Sequence, residues 1–356
     1  MMIRAVLGNP NHPEYGVATI PFPIPRDQYA HCVELLEALE IGDAVKADCK
    51  VERIDSFYTV LKRTEMLTVN VEELNYLAKR LDSFDTGEAA QFQAMAHKLE
   101  LFELKDLINL TFCCQQATVI TDFSDLAAIG RNHYMNLHGG SASVDELNAL
   151  DDKGIARQLI ESDSGKITPY GVVYDNGMKL EQIYDGRFFP CYYYEPNAIT
   201  VAVTSKSEPE DTNHITWLFL PMVQEEVDRA LLRGGITDPS EIRLSLEDSW
   251  LPHEVLDLLD MDHVDISELN ALVQALDEFS DMSIRKYAAA AVMARPHTTE
   301  QAKHLAENLD LFDFAPSAST PEEYGKYMIQ KSGRFEYDEN LDALYDYEKY
   351  GTERMN

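Results

Sequence analysis

Long apolar runs, paired cysteines and positive charge are what this sequence has little of. No stretch approaches the roughly 18 apolar residues that a membrane helix needs, so no span is expected. At the start, Met1-Met2-Ile3-Arg4 leads into Gly8-Asn9-Pro10-Asn11, which interrupts any apolar segment of a secretory signal. Cys32, Cys49, Cys113, Cys114 and Cys191 are odd in number and scattered. That favours a reducing, cytoplasmic setting over a disulfide framework. Lys and Arg total 30 against 62 Asp and Glu, a formal net charge of −32. This balance repels phosphates and anionic lipid, which argues against direct nucleic-acid binding and against a membrane-surface role.

Catalytic signatures are missing too. No Walker loop, dinucleotide fingerprint or Gly-x-Ser-x-Gly elbow occurs. Without that elbow, His138-Gly139-Gly140-Ser141 reads as a flexible turn rather than an oxyanion loop. Adjacent Cys113-Cys114 lack the spacing of a zinc chelate, and Leu110-Thr111-Phe112-Cys113-Cys114 reads as a half-buried strand. His133 and His138 are five apart, off the helical spacing that a metal pair prefers. No Asp-x-Asp-x-Asp-Gly calcium loop is present. A paired-carboxylate hydrolase needs an acid in an apolar pocket, whereas these acids lie in solvated-looking runs. The expectation is a protein without catalytic residues, metal or cofactor.

What the chain does have is 356 residues, 45% of them apolar, enough for two or three folding units. It also repeats itself. Residues 69–85 (VNVEELNYLAKRLDSFD) match 264–280 (VDISELNALVQALDEFS) at an offset of 195. Over the 13 positions beginning at Glu73 and Glu268, seven are identical. Leu74, Leu77, Leu81 and Phe84 correspond to Leu269, Leu272, Leu276 and Phe279, an apolar stripe on a helix in each copy. Asn70 with Glu73, and Asp265 with Glu268, carry the spacing of a capping box. Pro25, Gln28, Leu35 and Leu36 align with Pro221, Gln224, Leu231 and Leu232 at an offset of 196, and Gly130 aligns with Gly325.

The repeat implies a first copy over residues 1–188, an aromatic linker at 189–196, and a second copy over 197–356. Within each copy the order is β-like run, helix, mixed region, capped helix and a second helix rich in Ala and Met. Asp175-Asn176-Gly177, between Val172-Val173-Tyr174 and Met178-Lys179-Leu180, predicts a β-hairpin. Strands do not alternate with long crossover helices, so the class is α+β, as an internally duplicated, elongated chain of small mixed modules.

Charge is unequal between the copies: net −13 over residues 1–196 and net −19 over 197–356. One acidic run holds Glu247, Asp248, Glu254, Asp257, Asp260, Asp262, Asp265 and Glu268. A second holds Glu336, Asp338, Glu339, Asp342, Asp346 and Glu348, with no base among them. On a helix, the spacing of Glu254, Asp257 and Asp260 gives about 4.5 Å of rise per carboxylate. Duplex DNA carries one charge per ~1.7 Å of axis, or per ~3.4 Å along one strand. Several such helices would approach that density. Tyr324, Tyr337, Tyr345, Tyr347 and Tyr350 sit among the tail acids and are expected to pack the tail on its own domain.

The helix over Val264–Phe279, the acids around it and the ending LDALYDYEKYG (341–351) resemble the ArdA antirestriction family. The resemblance covers 197–356 best and reaches 1–188 through the duplication. It implies a string of small α and β domains that imitates B-form DNA. It further implies that the chain occupies the DNA-binding groove of a type I restriction–modification enzyme, formed by the specificity and methyltransferase subunits. Family members are carried on plasmids and conjugative elements and form dimers. A double-length chain implies either a homodimer or a single-chain pseudo-dimer. The fourteen acids of the two runs would act collectively as phosphate surrogates. The alternative is an acidic interaction or scaffold protein of a mobile element, with a partner that does not bind DNA.

Overall fold

Alternating burial builds the first sheet. In β1 (Ile3–Gly8), Ile3, Ala5 and Leu7 are buried while Arg4 between them is exposed. This strand pairs antiparallel with β2 (Val17–Phe22), Ile3 opposite Phe22, and with β3 (Cys49–Asp55). With β4 (Thr68–Val69) the strand order is β2-β1-β3-β4. Helices α1 (Tyr29–Glu37), α2 (Val71–Asp82), α3 (Thr86–Lys98) and α4 (Leu104–Leu110) join it around one apolar core. In α2 the predicted stripe of Leu74, Leu77 and Leu81 is buried. Then come β5 (Thr118–Ile120), α5 (Leu126–Leu137), α6 (Val144–Ala149), α7 (Asp152–Glu161), β6 (Lys166–Thr168) and β7 (Gly171–Tyr174). A second sheet, in the order β5-β7-β6, lies against α3.

The order then repeats. Strands β8 (Ile199–Ser205) and β9 (Thr216–Leu220) are followed by α8 (Gln224–Arg233) and β10 (Ile242–Ser249). Helices α9 (His253–Leu256), α10 (Ile266–Asp277), α11 (Asp281–Ala294), α12 (Thr299–Glu307), α13 (Pro321–Lys326) and α14 (Tyr347–Met355) complete the chain. This computed structural model describes residues 2–162, 164–206, 214–257, 259 and 263–355. The fold is α+β. No helix among the described residues is long and apolar enough to cross a membrane.

Shared geometry runs through both copies. The third sheet, β10-β8-β9, repeats the order β3-β1-β2, and a cis X–Pro bond follows β2 (Phe22–Pro23) and β9 (Leu220–Pro221). Pro23 directly follows the end of β2 as Pro221 follows the end of β9, so Pro23, rather than Pro25, is the counterpart of Pro221. Ile41 N–H donates to the Leu36 carbonyl at 3.1 Å, and Ile236 N–H to that of Leu231 at 3.0 Å. That pairs Leu36 with Leu231, one residue away from the alignment by sequence. Phe84 and Phe92 meet edge-on at 6.2 Å and 73°, and Phe279 and Tyr287 do so at 6.2 Å and 78°. A side chain at Gly130 would meet the Asp152 carbonyl of α7, and one at Gly325 would meet the Tyr347 carbonyl of α14. Both glycines thus permit the same close helix crossing.

By contacts the chain forms two compact units. The first comprises 1–197, 202–218 and 222–243, and the second comprises 198–201, 219–221 and 244–356. Each strand of the third sheet has residues in both. Helix α8, which belongs to the second sequence copy, lies in the first unit.

Three local expectations are corrected. Leu110–Cys114 is no strand: α4 ends at Leu110 and a turn leads into a 3-10 helix at Cys114–Gln116. A short apolar run buried on all sides carries no period to separate strand from helix. Asn176 and Gly177 do form a left-handed turn, at φ 55° and 77°, but no strand follows it. β7 pairs instead with β5 and β6. Finally, the acidic helix expected over 254–260 spans only His253–Leu256. Asp257 follows its last turn, and Asp260 lies outside the described residues.

Candidate interaction surface

All fourteen candidate acids fall in the second compact unit, whose sequence carries 24 carboxylates against 9 lysines and arginines. Asp260 and Asp262 lie outside the described residues. The other twelve are at the surface, all exposed except the half-exposed Glu254. Among the described residues none of the twelve pairs with a lysine or arginine, while His253 Nδ1 stands 3.4 Å from Glu254. Among the described residues the unit's ion pairs with Lys and Arg go elsewhere: Lys303 to Glu307, Lys326 to Glu322, and Arg334 to Asp313.

The twelve do not share one structural role. Glu247 and Asp248 project from the end of β10, and Glu247 accepts from the Ser245 hydroxyl at 3.1 Å. Asp265 caps α10, accepting from the Ser267 and Glu268 N–H groups. The reciprocal half of the capping box is missing. Glu268 turns instead to the Thr299 hydroxyl at 2.5 Å. Glu73, its counterpart, accepts from the Tyr184 hydroxyl at 2.8 Å. Asp338 caps the turn over Glu339–Leu344, and Asp346 accepts from Lys349 N–H in the first turn of α14. Asp248, Asp257, Glu336, Glu339 and Glu348 are given over to solvent.

Asp342 is the most constrained. It accepts from Tyr337 Oη at 2.6 Å, from Tyr347 Oη, and from Gln330 Nε2 at 2.9 Å. The Tyr337 and then the Tyr347 hydroxyl hold its carboxyl below the ordinary range. Tyr347 is buried and the ring of Tyr345 lies 5.8 Å from it, so the tyrosine series ties the tail to its own fold. With a depressed folded pKa, these bonds stabilise the tail above the ordinary carboxylate range and lose strength as pH falls through the folded value. Changing Tyr337 and Tyr347 together to Phe is expected to raise the Asp342 pKa, read by carboxyl NMR titration.

A second charged group, which the sequence did not disclose, lies within the first unit. Arg229 on α8 donates to Glu72 at 2.6 Å and to the Gly42 carbonyl at 2.7 Å. One turn on, Arg233 is only 4% exposed. Its Nε donates to Arg187 O at 2.9 Å, and Nη1 to Ala44 O at 2.8 Å and Asn70 Oδ1 at 3.0 Å. Its Nη2 serves the Tyr184 hydroxyl and Gly186 O. The guanidinium stacks on Phe189 at 4.4 Å, with Glu73 at 3.7 Å. Burial pushes the Glu73 carboxyl up, against the lowering pull of Tyr184 and Arg233. Phe189 in turn stacks on Tyr76 at 4.5 Å, and Tyr192 and Tyr194 bond to Lys79 O and Asp82. The aromatic segment is therefore strapped along α2. Its only sequence signal is the four-residue spacing of two arginines on one helix face.

Among the described residues no cluster of three or more His, Cys, Asp or Glu is arranged to hold a metal ion. His133 Nδ1 lies 2.9 Å from the Thr118 hydroxyl, and Gly139 and Gly140 take positive φ in a turn, as expected of that segment. No family model, no curated protein and no solved structure matches the chain.

Proposed function

We propose that this protein is an antirestriction factor that imitates DNA and occupies the DNA-binding groove of a type I restriction–modification enzyme. The observation that carries this reading is the set of twelve surface carboxylates in one compact unit that, among the described residues, form no ion pair with a lysine or arginine. Like charges gathered without internal counterions oppose folding by self-repulsion. A basic groove built for phosphates supplies the missing counterions, steers the encounter and releases its own condensed ions. The protein acts stoichiometrically, and no single acid dominates because each exposed carboxylate contributes modestly to a shared field.

The test neutralises six acids that cap nothing: Glu247→Gln, Asp248→Asn, Asp257→Asn, Glu336→Gln, Glu339→Gln and Glu348→Gln. Inhibition of DNA cleavage by a purified type I enzyme is expected to disappear while the circular dichroism spectrum is kept. The native chain should also displace duplex DNA from that enzyme, less effectively as salt rises. Full inhibition by the six-fold variant would overturn the reading. No binding to the enzyme and no displacement of DNA would favour an acidic scaffold whose partner does not bind DNA.

A further inference from the structure

The two copies differ at one packed corner. Leu36 to Ile41 and Leu231 to Ile236 close the same turn, with positive φ at Glu40 (55°) and at Gly235 (83°). Leu39 therefore corresponds to Gly234. Counting back from the paired prolines, Ala18 of β2 corresponds to Thr216 of β9. In the first copy this corner is filled. Leu39 and Ala18 are buried in the main core, and Asn9 Nδ2 donates to the Leu39 carbonyl at 2.9 Å. In the second copy the leucine side chain is gone, and a Cβ at Gly234 would run into the Thr216 hydroxyl. A cavity of about 520 Å³ opens there, bounded by β8, β9, the turn after α8 and Arg187-Phe188. All of its lining belongs to the first compact unit.

The lining is polar where the first copy is apolar. Thr216 is only 9% exposed, and among the described residues its hydroxyl has no hydrogen-bond partner. A methyl stands in that place in the first copy, so the hydroxyl is an addition with no use inside the fold. Arg187 Nη2 lies 3.5 Å from the point a Cβ at Gly235 would occupy, so the glycine leaves the guanidinium uncovered. Among the described residues that side chain makes one long bond, to Leu232 O at 3.5 Å, and meets no carboxylate. Glu241 lines the same cavity, and its carboxylate has neither an ion pair nor a hydrogen bond among the described residues. Asp238 is committed elsewhere, capping Ser240 N–H at 2.9 Å, and Lys206 Nζ turns to Ser240 O at 2.7 Å. Phe188 and His214, with ring centroids 4.8 Å apart, supply an aromatic wall.

We infer that this cavity binds a free amino acid with an apolar or aromatic side chain. Its carboxylate meets Arg187 and the Thr216 hydroxyl, its ammonium meets Glu241, and its side chain lies against Phe188 and His214. Charge balance selects this class of ligand. A guanidinium and a carboxylate line one cavity, yet neither pairs with the other, so a molecule carrying both charges answers both. One arginine beside Asp238 and Glu241 repels a phosphate ester, and a simple carboxylic acid leaves Glu241 without a partner. The volume falls in the range of small-molecule sites. None of the fourteen acids of the two runs takes part, so the inference is independent of any imitation of DNA.

Isothermal titration calorimetry on the full chain tests it, with L-phenylalanine and L-leucine as probes. At least one is expected to bind, with a single molecule per chain. The matching carboxylic acid and the matching amine, each lacking one of the two charges, should bind at least about tenfold more weakly. Arg187→Gln and Glu241→Gln should each weaken the amino acid by a similar factor, with an unchanged circular dichroism spectrum. Gly234→Leu with Thr216→Ala installs the first copy's residues, and this filled corner should bind nothing. Failure of both probes to bind, an acid or amine that binds as tightly, adenosine monophosphate bound in their place, or native affinity in the charge variants would each overturn the proposal. Antirestriction activity is not the readout, so failure here is distinguishable from failure of the functional reading.

Discussion

Arg233→Met is expected to destabilise the first compact unit by about 3–5 kcal/mol, seen as a lowered urea midpoint. The side chain is buried, and every N–H of its guanidinium fork faces an oxygen: three backbone carbonyls, Asn70 Oδ1 and the Tyr184 hydroxyl. Methionine replaces the stem but none of the donors, so those acceptors are left in a site that water reaches poorly. It also removes the cation beside Glu73, whose carboxyl burial already pushes up. The sign of the pH dependence follows. Without Arg233 the Glu73 pKa rises further, so protonation relieves part of the defect, and the gap from the native protein narrows as pH falls through that range. Lysine at 233 is not an adequate substitute. It keeps the charge but offers three donors from one nitrogen, with no plane to stack on Phe189.

The second large effect concerns the paired helix crossings. Gly130→Ala would put a Cβ 1.8 Å from the Asp152 carbonyl oxygen, and Gly325→Ala one 2.1 Å from that of Tyr347. Gly351→Ala is as severe from the facing helix, at 1.7 Å from Pro321 O. The obstructing atoms are backbone, so relief requires the helices to separate. Overpacking of this kind costs roughly 1–3 kcal/mol where the surroundings yield, and more where they do not. Gly325→Ala, and Gly325→Ala with Gly351→Ala, should therefore loosen α13 from α14. Amide hydrogen exchange across 321–355 checks this, with faster exchange expected there and no change in α2. Asp346 and Glu348 sit at the start of α14, so under the function proposed above the same variants should also weaken inhibition of a type I enzyme without removing a charge.

How much of this is legible in the sequence depends on the range of the interaction. The stripe of Leu74, Leu77 and Leu81 and the caps at Asn70 and Asp265 are local patterns, and the structure contains both. The pairing of Gly130 with Gly325 is also readable, although its reason, a helix crossing too close for any side chain, is not. Where pattern ends, reading fails. Leu110–Cys114 is apolar without a period, and its chain direction is set by packing around α4. At Asn176-Gly177 the sequence pattern marks a turn, but the hairpin expected around it does not form, because the strands β7 joins are decided by partners more than fifty residues upstream and by its neighbour β6. The reciprocal capping expected of Glu73 and Glu268 gives way to Tyr184 and Thr299, which no local spacing announces. For the acids, exposure follows from composition. Which of them are bound up in caps or, like Asp342, in a tyrosine clasp does not.

A gene doubled in tandem ordinarily leaves each half free to drift. Here the lodging of α8 against α1 and α2 withdraws that freedom, because Glu72 answers to Arg229, Glu73 to Arg233 and Lys79 to Glu226. Losing one member strands the other, and the compensating change must arise in the opposite half of the same reading frame. Selection consequently acts on the two halves as a single heritable object, and recombination that shuffled one of them alone would be purged.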